Sequence, residues 1–264
     1  MPLFAQMLLI GLATVTVLMT VLWIIGHKMN NYAIVDFGWA VGLASVAITY
    51  ALLSHGYLWR NVMFAVMAGI WGLRLGFYLL LTRIIGHPEE GRYQQLRRDW
   101  KTNLPFKFFL FFQFQGLLDL FLSLPFLFAA LNPIPTIQPL EIAGFVLFLV
   151  AKLGEATADA QLNRFKKDPS HKGKTCRVGL WNYSRHPNYF FEWMIWVAWF
   201  LFALASPWGW VAILCPALML YFLFKVTGIP ATEAQSLRTK GDDYREYQRT
   251  TSAFVPWFKR KAEA

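Results

Sequence analysis

The segment SRHPNYFFEW, residues 184–193, places side chains capable of ligand and acid–base chemistry beside a strongly apolar run: Arg185, His186, Asn188, Tyr189 and Glu192. The pattern is helical from Asn188 onward, which puts Asn188 and Glu192 on one face, four residues apart. Arg185 and His186 come at the positive end of the same predicted helix, where backbone N–H groups favour anions. The arrangement predicts a site for a pyrophosphate or a carboxylate. The structural alternative is an interfacial cap.

A second candidate is Asp36, which lies a few residues inside the apolar run of residues 32–54. An ionisable group at such a position is costly and is usually functional or paired. We expect Asp36 either to pair with Arg74 or to act as a partly protonated carboxyl that donates to a substrate carbonyl. Arg74 and Tyr78 share a helix face, which supports a polar lining.

Two further sets of polar residues lie inside apolar runs. Gln115 and Asp119 are four residues apart and fit an interhelical hydrogen-bonded clamp as well as a pocket lining. Lys152, Glu155 and Asp159 step along one predicted helix, where Lys152 can neutralise Glu155 and Asp159 can reach a ribose hydroxyl. A purely structural role fits this triplet equally well.

Several classes of site are excluded by motif. The chain has no GxGxxG after a strand, no GxxxxGK[ST] and no GxSxG. It has no HExxH, and its two cysteines, Cys176 and Cys215, form no CxxC pair, so we expect no metal site. Any cofactor must therefore be held between helices.

The elements that position these residues are predicted to be membrane helices. The chain is 56% hydrophobic and 15% charged, whereas soluble domains are about 45–50% apolar and about 25% charged. Apolar runs long enough to cross about 30 Å of hydrocarbon recur, and lipid requires them to be helical. We predict an all-α protein, one domain over residues 1–264, with seven spans at about 3–26, 32–54, 62–82, 105–131, 141–157, 188–205 and 208–228.

The net charge of +10 is unevenly placed. Most Lys and Arg residues fall in residues 83–107, in residues 157–187 and after Lys225, all on one side of seven spans. The positive-inside rule makes that side cytoplasmic, with the N-terminus outside and the C-terminus inside. This predicts a multi-pass protein of the bacterial inner membrane whose site opens to the cytoplasm, and it argues against nucleic acid. Residues 89–98 are predicted to be a solvated face, and the C-terminal tail either lies on lipid or closes over the site.

Two strings, GLWNYSRHPNYFFEW and GDDYREYQRTTSAFVP, resemble the steroid 5-alpha-reductase family, particularly its bacterial branch. The resemblance is strong over residues 150–258 and recognisable in YAIVDFGW and GLRLGFYLLLTR. It implies a seven-helix membrane enzyme that transfers a hydride from NADPH to an enone, typically the 4-ene of a 3-oxosteroid. A lipophilic substrate and membrane lipid are the implied partners.

The resemblance also implies roles for particular residues. Asp36 resembles the carboxyl that polarises the substrate carbonyl, Trp71 stands near its aromatic partner, and Glu192 lies one turn deeper than the nicotinamide contact. Known members carry Gln-Glu and Tyr where this chain has Val35-Asp36 and Trp71. The candidate cofactor-binding residues are Asn188, Arg185, His186, Tyr189, Asp159, Glu155, Lys166, Arg74 and Tyr247.

Three functions fit the sequence. The first is NADPH-dependent reduction of a lipophilic enone. The second is methyl transfer from S-adenosylmethionine, because isoprenylcysteine methyltransferases share RHPNY followed by a later Gly, Tyr, Tyr and Pro. The third is a non-enzymatic transporter or assembly factor, although the chain lacks repeated halves with paired broken helices.

Overall fold

The computed structural model describes residues 3–259, and within that range the secondary structure is helical with no β-strand. The only strand-like feature described is an isolated backbone bridge between Ser184 and Ser252. The chain divides into two compact units. Unit 1 contains Met1–Glu141 and Phe202–Ala212, and unit 2 contains Ile142–Leu201 and Ile213–Ala264.

Among the described residues, six helices lie entirely within unit 1. They are α1 Leu3–Lys28, α2 Ile34–Leu53, α3 Leu58–Leu79, α4 Gly91–Trp100, α5 Leu104–Leu122 and α6 Leu124–Ala130. A π-helical turn, Leu80–Ile84, continues α3.

Helix α2 is the centre of unit 1, since it contacts α1, α3 and α5. Small residues allow this close packing. A Cβ added to Gly72 of α3 would lie 2.5 Å from the Ala40 carbonyl oxygen and 2.6 Å from the Ala44 Cβ of α2. Small residues at helix interfaces are how membrane helices gain dispersion contacts where no hydrophobic driving force exists between them. Helix α4 is held near α2 by an aromatic cluster that includes Tyr32 and Phe108, with ring centroids 3.8 Å apart.

Five more helices follow in the described part of the chain. They are α7 Pro139–Lys167, α8 Pro187–Ala203, α9 Leu214–Tyr221, α10 Ile229–Lys240 and α11 Asp242–Thr250. A π-helical turn, Phe222–Val226, follows α9.

Five helical stretches are long and apolar enough to cross a membrane, the pattern of a multi-pass membrane protein: Leu3–Lys28, Ile34–Leu53, Leu58–Ile84, Leu104–Leu122 and Gly209–Lys240. The predicted spans at 141–157 and 188–205 lie in α7 and α8, which are helical but not among these five. Helix α7 extends ten residues beyond the predicted span to the charged residue Lys167, and α8 has 17 residues.

Two expectations were wrong in detail. The predicted span at 105–131 is two helices, because α5 ends at Leu122 and α6 begins at Leu124. Pro125 explains the break, since a proline inside a helix lacks the N–H that the ladder requires. Arg60 falls between the predicted spans at 32–54 and 62–82, but it lies inside α3, fully buried.

Candidate functional site

In unit 2, the side chains of Asn188 and Asp159 meet across α7 and α8. The Asn188 amide donates to Asp159 Oδ1 at 3.2 Å. A Cβ on Gly154 would overlap the ring of Phe191, so the two helices also touch one turn further on. The residue numbers of these contacts decrease along α7 and increase along α8, so the two helices run antiparallel. Asp159 therefore fixes the orientation of the Asn188 side chain. The expected contact between Asp159 and a ribose hydroxyl stays a prediction.

Glu155 and Glu192 lie one turn deeper on the same two helices. We call the polar residues of these helices the α7–α8 polar cluster: Lys152, Glu155, Asp159, Asn188 and Glu192. Lys152 donates to Glu155 at 2.7 Å, which confirms the expected ion pair. Glu192 accepts from the indole N–H of Trp196 at 3.2 Å. Since Glu155 precedes Asp159 and Glu192 follows Asn188 by four residues each, the antiparallel helices place both carboxyls at similar depth.

Arg185 and His186 contact the C-terminal part of the chain. Arg185 donates to Glu233 at 2.7 Å and to two backbone carbonyls, those of Gln248 and Thr251, at 2.8 Å each. The His186 ring lies 3.2 Å from the same Glu233 carboxylate. These contacts tie the N-terminus of α8 to α10 and α11, whereas the expected interfacial cap stays a prediction. A role for either residue at an anion stays a prediction.

Tyr247 of α11 also contacts the segment that precedes α8. Its hydroxyl donates to the carbonyl of Trp181 and lies 3.0 Å from that of Ser184. Burial raises the pKa of Tyr247 well above its usual value, so the group is a neutral donor. Tyr189 stacks on His186, with ring centroids 5.4 Å apart. Residues 229–250 are thus a folded part of unit 2.

The cytoplasmic end predicted for α7 is strongly basic. Lys166 is exposed near the end of α7, as a phosphate contact must be. Four more basic residues accompany it in the last turns of α7 and the loop after it: Arg164, Lys167, Lys172 and Lys174. Together they offer a positive surface to a phosphorylated ligand.

In unit 1, Asp36 belongs to a cluster with Arg92 and Tyr93 of α4. Asp36 Oδ1 accepts from the guanidinium of Arg92 and from the hydroxyl of Tyr93, the latter at 2.7 Å. The side chain of Asp36 is 18% exposed and that of Arg92 is 49% exposed. The cation that pairs with Asp36 is Arg92, and not Arg74, which one of the two alternatives had named.

Sequence reasoning missed Arg92 and Tyr93 because residues 89–98 look like a solvated face. A weak signal existed, since Tyr93, Leu96 and Trp100 recur at helical spacing and pack on the core. Burial, and after it the charge of Asp36, raise the pKa of Tyr93 well above its usual value. Tyr93 is therefore a neutral O–H donor at physiological pH.

The remaining predicted residues of unit 1 lie in α3. Trp71 is fully buried, and its ring packs edge-on against Trp39 with centroids 5.4 Å apart. Arg74 lies three residues later and is half-buried. Their predicted roles at substrate and cofactor stay predictions. Among the described residues, no group of His, Cys, Asp and Glu could hold a metal ion.

Comparison with known proteins gives one family and one partial relative. A segment of 52 residues, 20% of this chain, is 38% identical to the probable O-methyltransferase ustE of Ustilaginoidea virens and spans 18% of that protein. No solved structure matches the chain. The family model described as "Protein of unknown function (DUF1295)" matches residues 22–251, and the chain therefore belongs to the DUF1295 family.

Proposed function

We propose that the protein is a membrane reductase that uses NADPH to reduce the carbon–carbon double bond of a lipophilic enone, a 3-oxo-4-ene steroid or a similar lipid. In this proposal seven spans cross the bacterial inner membrane, with the N-terminus outside and the basic segments in the cytoplasm. The resemblance to steroid 5-alpha-reductases motivates the proposal. The α7–α8 polar cluster is the observation that supports it most.

The residues of the cluster fit a nicotinamide carboxamide. Asp159 holds one N–H of Asn188, and this is the one side-chain hydrogen bond that the structure gives Asn188 among the described residues. A second N–H and the carbonyl oxygen of Asn188 are left for a ligand. A carboxamide offers the complementary acceptor and donor. Glu192, one turn deeper and half-buried, lines the same face of α8.

The phosphates of NADPH fit the basic end of α7. Lys166 and its basic neighbours are exposed, so they can meet the additional 2′-phosphate that distinguishes NADPH from NADH. When bound, NADPH supplies the hydride. The apolar helices suit a substrate that arrives from the bilayer rather than from water.

For the substrate carbonyl, the proposal assigns the cluster of Asp36, Arg92 and Tyr93. Asp36 keeps the guanidinium and the phenol O–H side by side, with Arg92 2.6 Å from the Tyr93 hydroxyl. A positive charge and a neutral O–H donor stabilise negative charge that develops on a carbonyl oxygen. This modifies the expected mechanism, since Asp36 accepts hydrogen bonds, and the substrate carbonyl must replace Asp36 as the acceptor of the Tyr93 proton.

Ligand-induced thermal stabilisation of the purified protein tests the cofactor. A ligand that binds only the folded state must raise stability, by about 2.7 kcal/mol at 100 times its Kd. We expect NADPH to bind about 10-fold or more tightly than NADH, because one charge-assisted contact is worth about 1.5–3 kcal/mol. Equal affinities, or stabilisation by S-adenosylmethionine only, would remove the reductase proposal.

Replacing Asn188 links that result to the polar cluster. We expect Asn188→Ala to weaken NADPH binding by about 10-fold or more, since the lost hydrogen bonds contribute about 1–3 kcal/mol. The matched control is Asn163→Ala, an exposed residue of the same α7 helix that contributes Asp159. Equal NADPH affinity of the two variants would leave Asn188 with a structural role.

A second candidate is a methyltransferase that uses S-adenosylmethionine. The observation that favours it is the 52-residue match to a probable O-methyltransferase. The same titration separates the two, because each cofactor stabilises only the protein that binds it.

A further inference from the structure

Asp119, in the last turn of α5, is a carboxyl with no hydrogen-bonding partner in the described part of the chain. The residue is fully buried, and among the described residues neither Oδ1 nor Oδ2 has a donor within reach. The clamp expected from Gln115 and Asp119 is therefore not formed at Asp119. Buried polar groups are nearly always paired, so an orphaned carboxyl needs an explanation.

The residues of α1 and α2 that face Asp119 are apolar. A Cβ on Gly42 of α2 would overlap Oδ2 of Asp119 and would lie 3.5 Å from the Met19 Cε of α1. One turn earlier on α5, Gly116 faces Val15 and Met19. These facing positions of α1 and α2 are Val, Met and Gly, none of which can titrate or carry charge.

The titratable groups along α2 are Asp36, which lies six residues before Gly42 and pairs with Arg92, and Tyr50, which lies eight residues after Gly42. The Tyr50 hydroxyl is buried and lies beside the side chain of Ser123. A phenol at that position supplies no positive charge that could balance a carboxylate. An ionised carboxylate with neither cation nor donor costs many kcal/mol in an apolar medium, and such groups neutralise instead.

Unit 1 contains a buried carboxylate of the opposite kind for comparison. Glu141 is equally buried, but it pairs with Arg60 and accepts from the backbone N–H of Gln138 at 2.8 Å. Unit 1 therefore gives the buried carboxylate of Glu141 a cation and a backbone N–H, whereas it gives the buried carboxyl of Asp119 no donor among the described residues.

We propose that Asp119 carries a proton in the folded protein and is a proton-binding site within the membrane-embedded helices of unit 1. The site is also a modification site for apolar carbodiimides, which react with protonated carboxyls in low-dielectric surroundings. This inference is independent of the proposed reductase activity.

The modification is an addition with no leaving group. The carboxyl proton of Asp119 moves to a carbodiimide nitrogen, and the carboxylate oxygen bonds to the central carbon to give an O-acylisourea. Acyl migration from oxygen to nitrogen then gives a stable N-acylurea. Nothing is oxidised or reduced, and the peptide gains the mass of one intact reagent.

Infrared spectroscopy of the purified protein at pH 7 tests the protonation directly. The difference spectrum between wild type and Asp119→Asn should contain the C=O stretch of a carboxylic acid that the variant lacks. A carboxylate stretch in its place would overturn the proposal. The substitution exchanges one neutral group for another of the same shape, so we expect the variant to fold.

The second measurement needs only the wild-type protein. After treatment with dicyclohexylcarbodiimide at pH 7, peptide mass spectrometry should find the adduct on Asp119 and none on Glu141. A water-soluble carbodiimide should modify exposed carboxylates and spare Asp119. Equal modification of Asp119 and Glu141 by the apolar reagent would overturn the proposal, since it would show that burial alone decides reactivity.

Discussion

Replacing Asp36 with Asn is expected to lower the turnover of a lipophilic enone by about 100-fold or more, the usual scale for the loss of positioned acid–base machinery. The amide keeps the size of the side chain but loses the charge that pairs with Arg92. The guanidinium and the Tyr93 hydroxyl are then no longer held on one oxygen. Turnover is measured as NADPH oxidation with a panel of 3-oxo-4-ene steroids and related enones.

Two controls make this result specific. Asp99→Asn changes an exposed carboxylate of α4, the helix that carries Arg92 and Tyr93. Asp99 accepts from Gln95 at 2.8 Å, and its replacement should leave turnover unchanged. NADPH-induced stabilisation of Asp36→Asn should also stay near the wild-type value, because the residues assigned to the cofactor are intact. Near-normal turnover of Asp36→Asn would reduce the cluster to a structural tie between α2 and α4.

The largest effect on stability is expected at Glu141. Removing its carboxylate leaves the guanidinium of Arg60 fully buried and without its counter-ion. Breaking a buried pair in this way typically costs about 3–5 kcal/mol, because the remaining charge is not compensated. Glu141→Ala should therefore lower the free energy of unfolding, measured by denaturation in detergent, by about that amount.

The other contacts of Arg60 explain why loss of the Glu141 carboxylate should lower stability strongly. Its guanidinium also donates to the carbonyls of Ile134 and Thr136, at 2.8 and 2.7 Å, and so fixes the loop before α7. The comparison is Glu246→Ala, which breaks an exposed pair with Arg177 and should cost less than about 1 kcal/mol. Similar losses in both variants would contradict the assignment of a special role to the buried pair.

The helices were predictable where hydrophobicity alone determines them. The apolar runs at 3–26 and 32–54 agree with α1 and α2 to within a few residues, because lipid-facing and core-facing residues are both apolar there. The break at Ser123 was missed because the residues on both sides are equally apolar. Pro125 was the available signal.

The candidate site was predictable as a set of residues but not as a set of contacts. Asn188, Asp159, Lys152 and Glu155 stand out because polar groups in apolar runs are costly. Only Lys152 and Glu155 were paired correctly, since they share one helix. Arg92 lies 56 residues from Asp36, and one sequence holds no information on which charges on different helices meet.

Isotope transfer follows the proposed hydride from NADPH to a lipophilic enone. The purified protein is incubated with C4-deuterated NADPH and the enone panel, and in parallel with methyl-labelled S-adenosylmethionine and membrane lipid. We expect a reduced product with one deuterium on the carbon β to the carbonyl, and a strongly reduced yield with Asn188→Ala. Products without deuterium, together with labelled methyl groups recovered in lipid, would contradict the proposed hydride transfer.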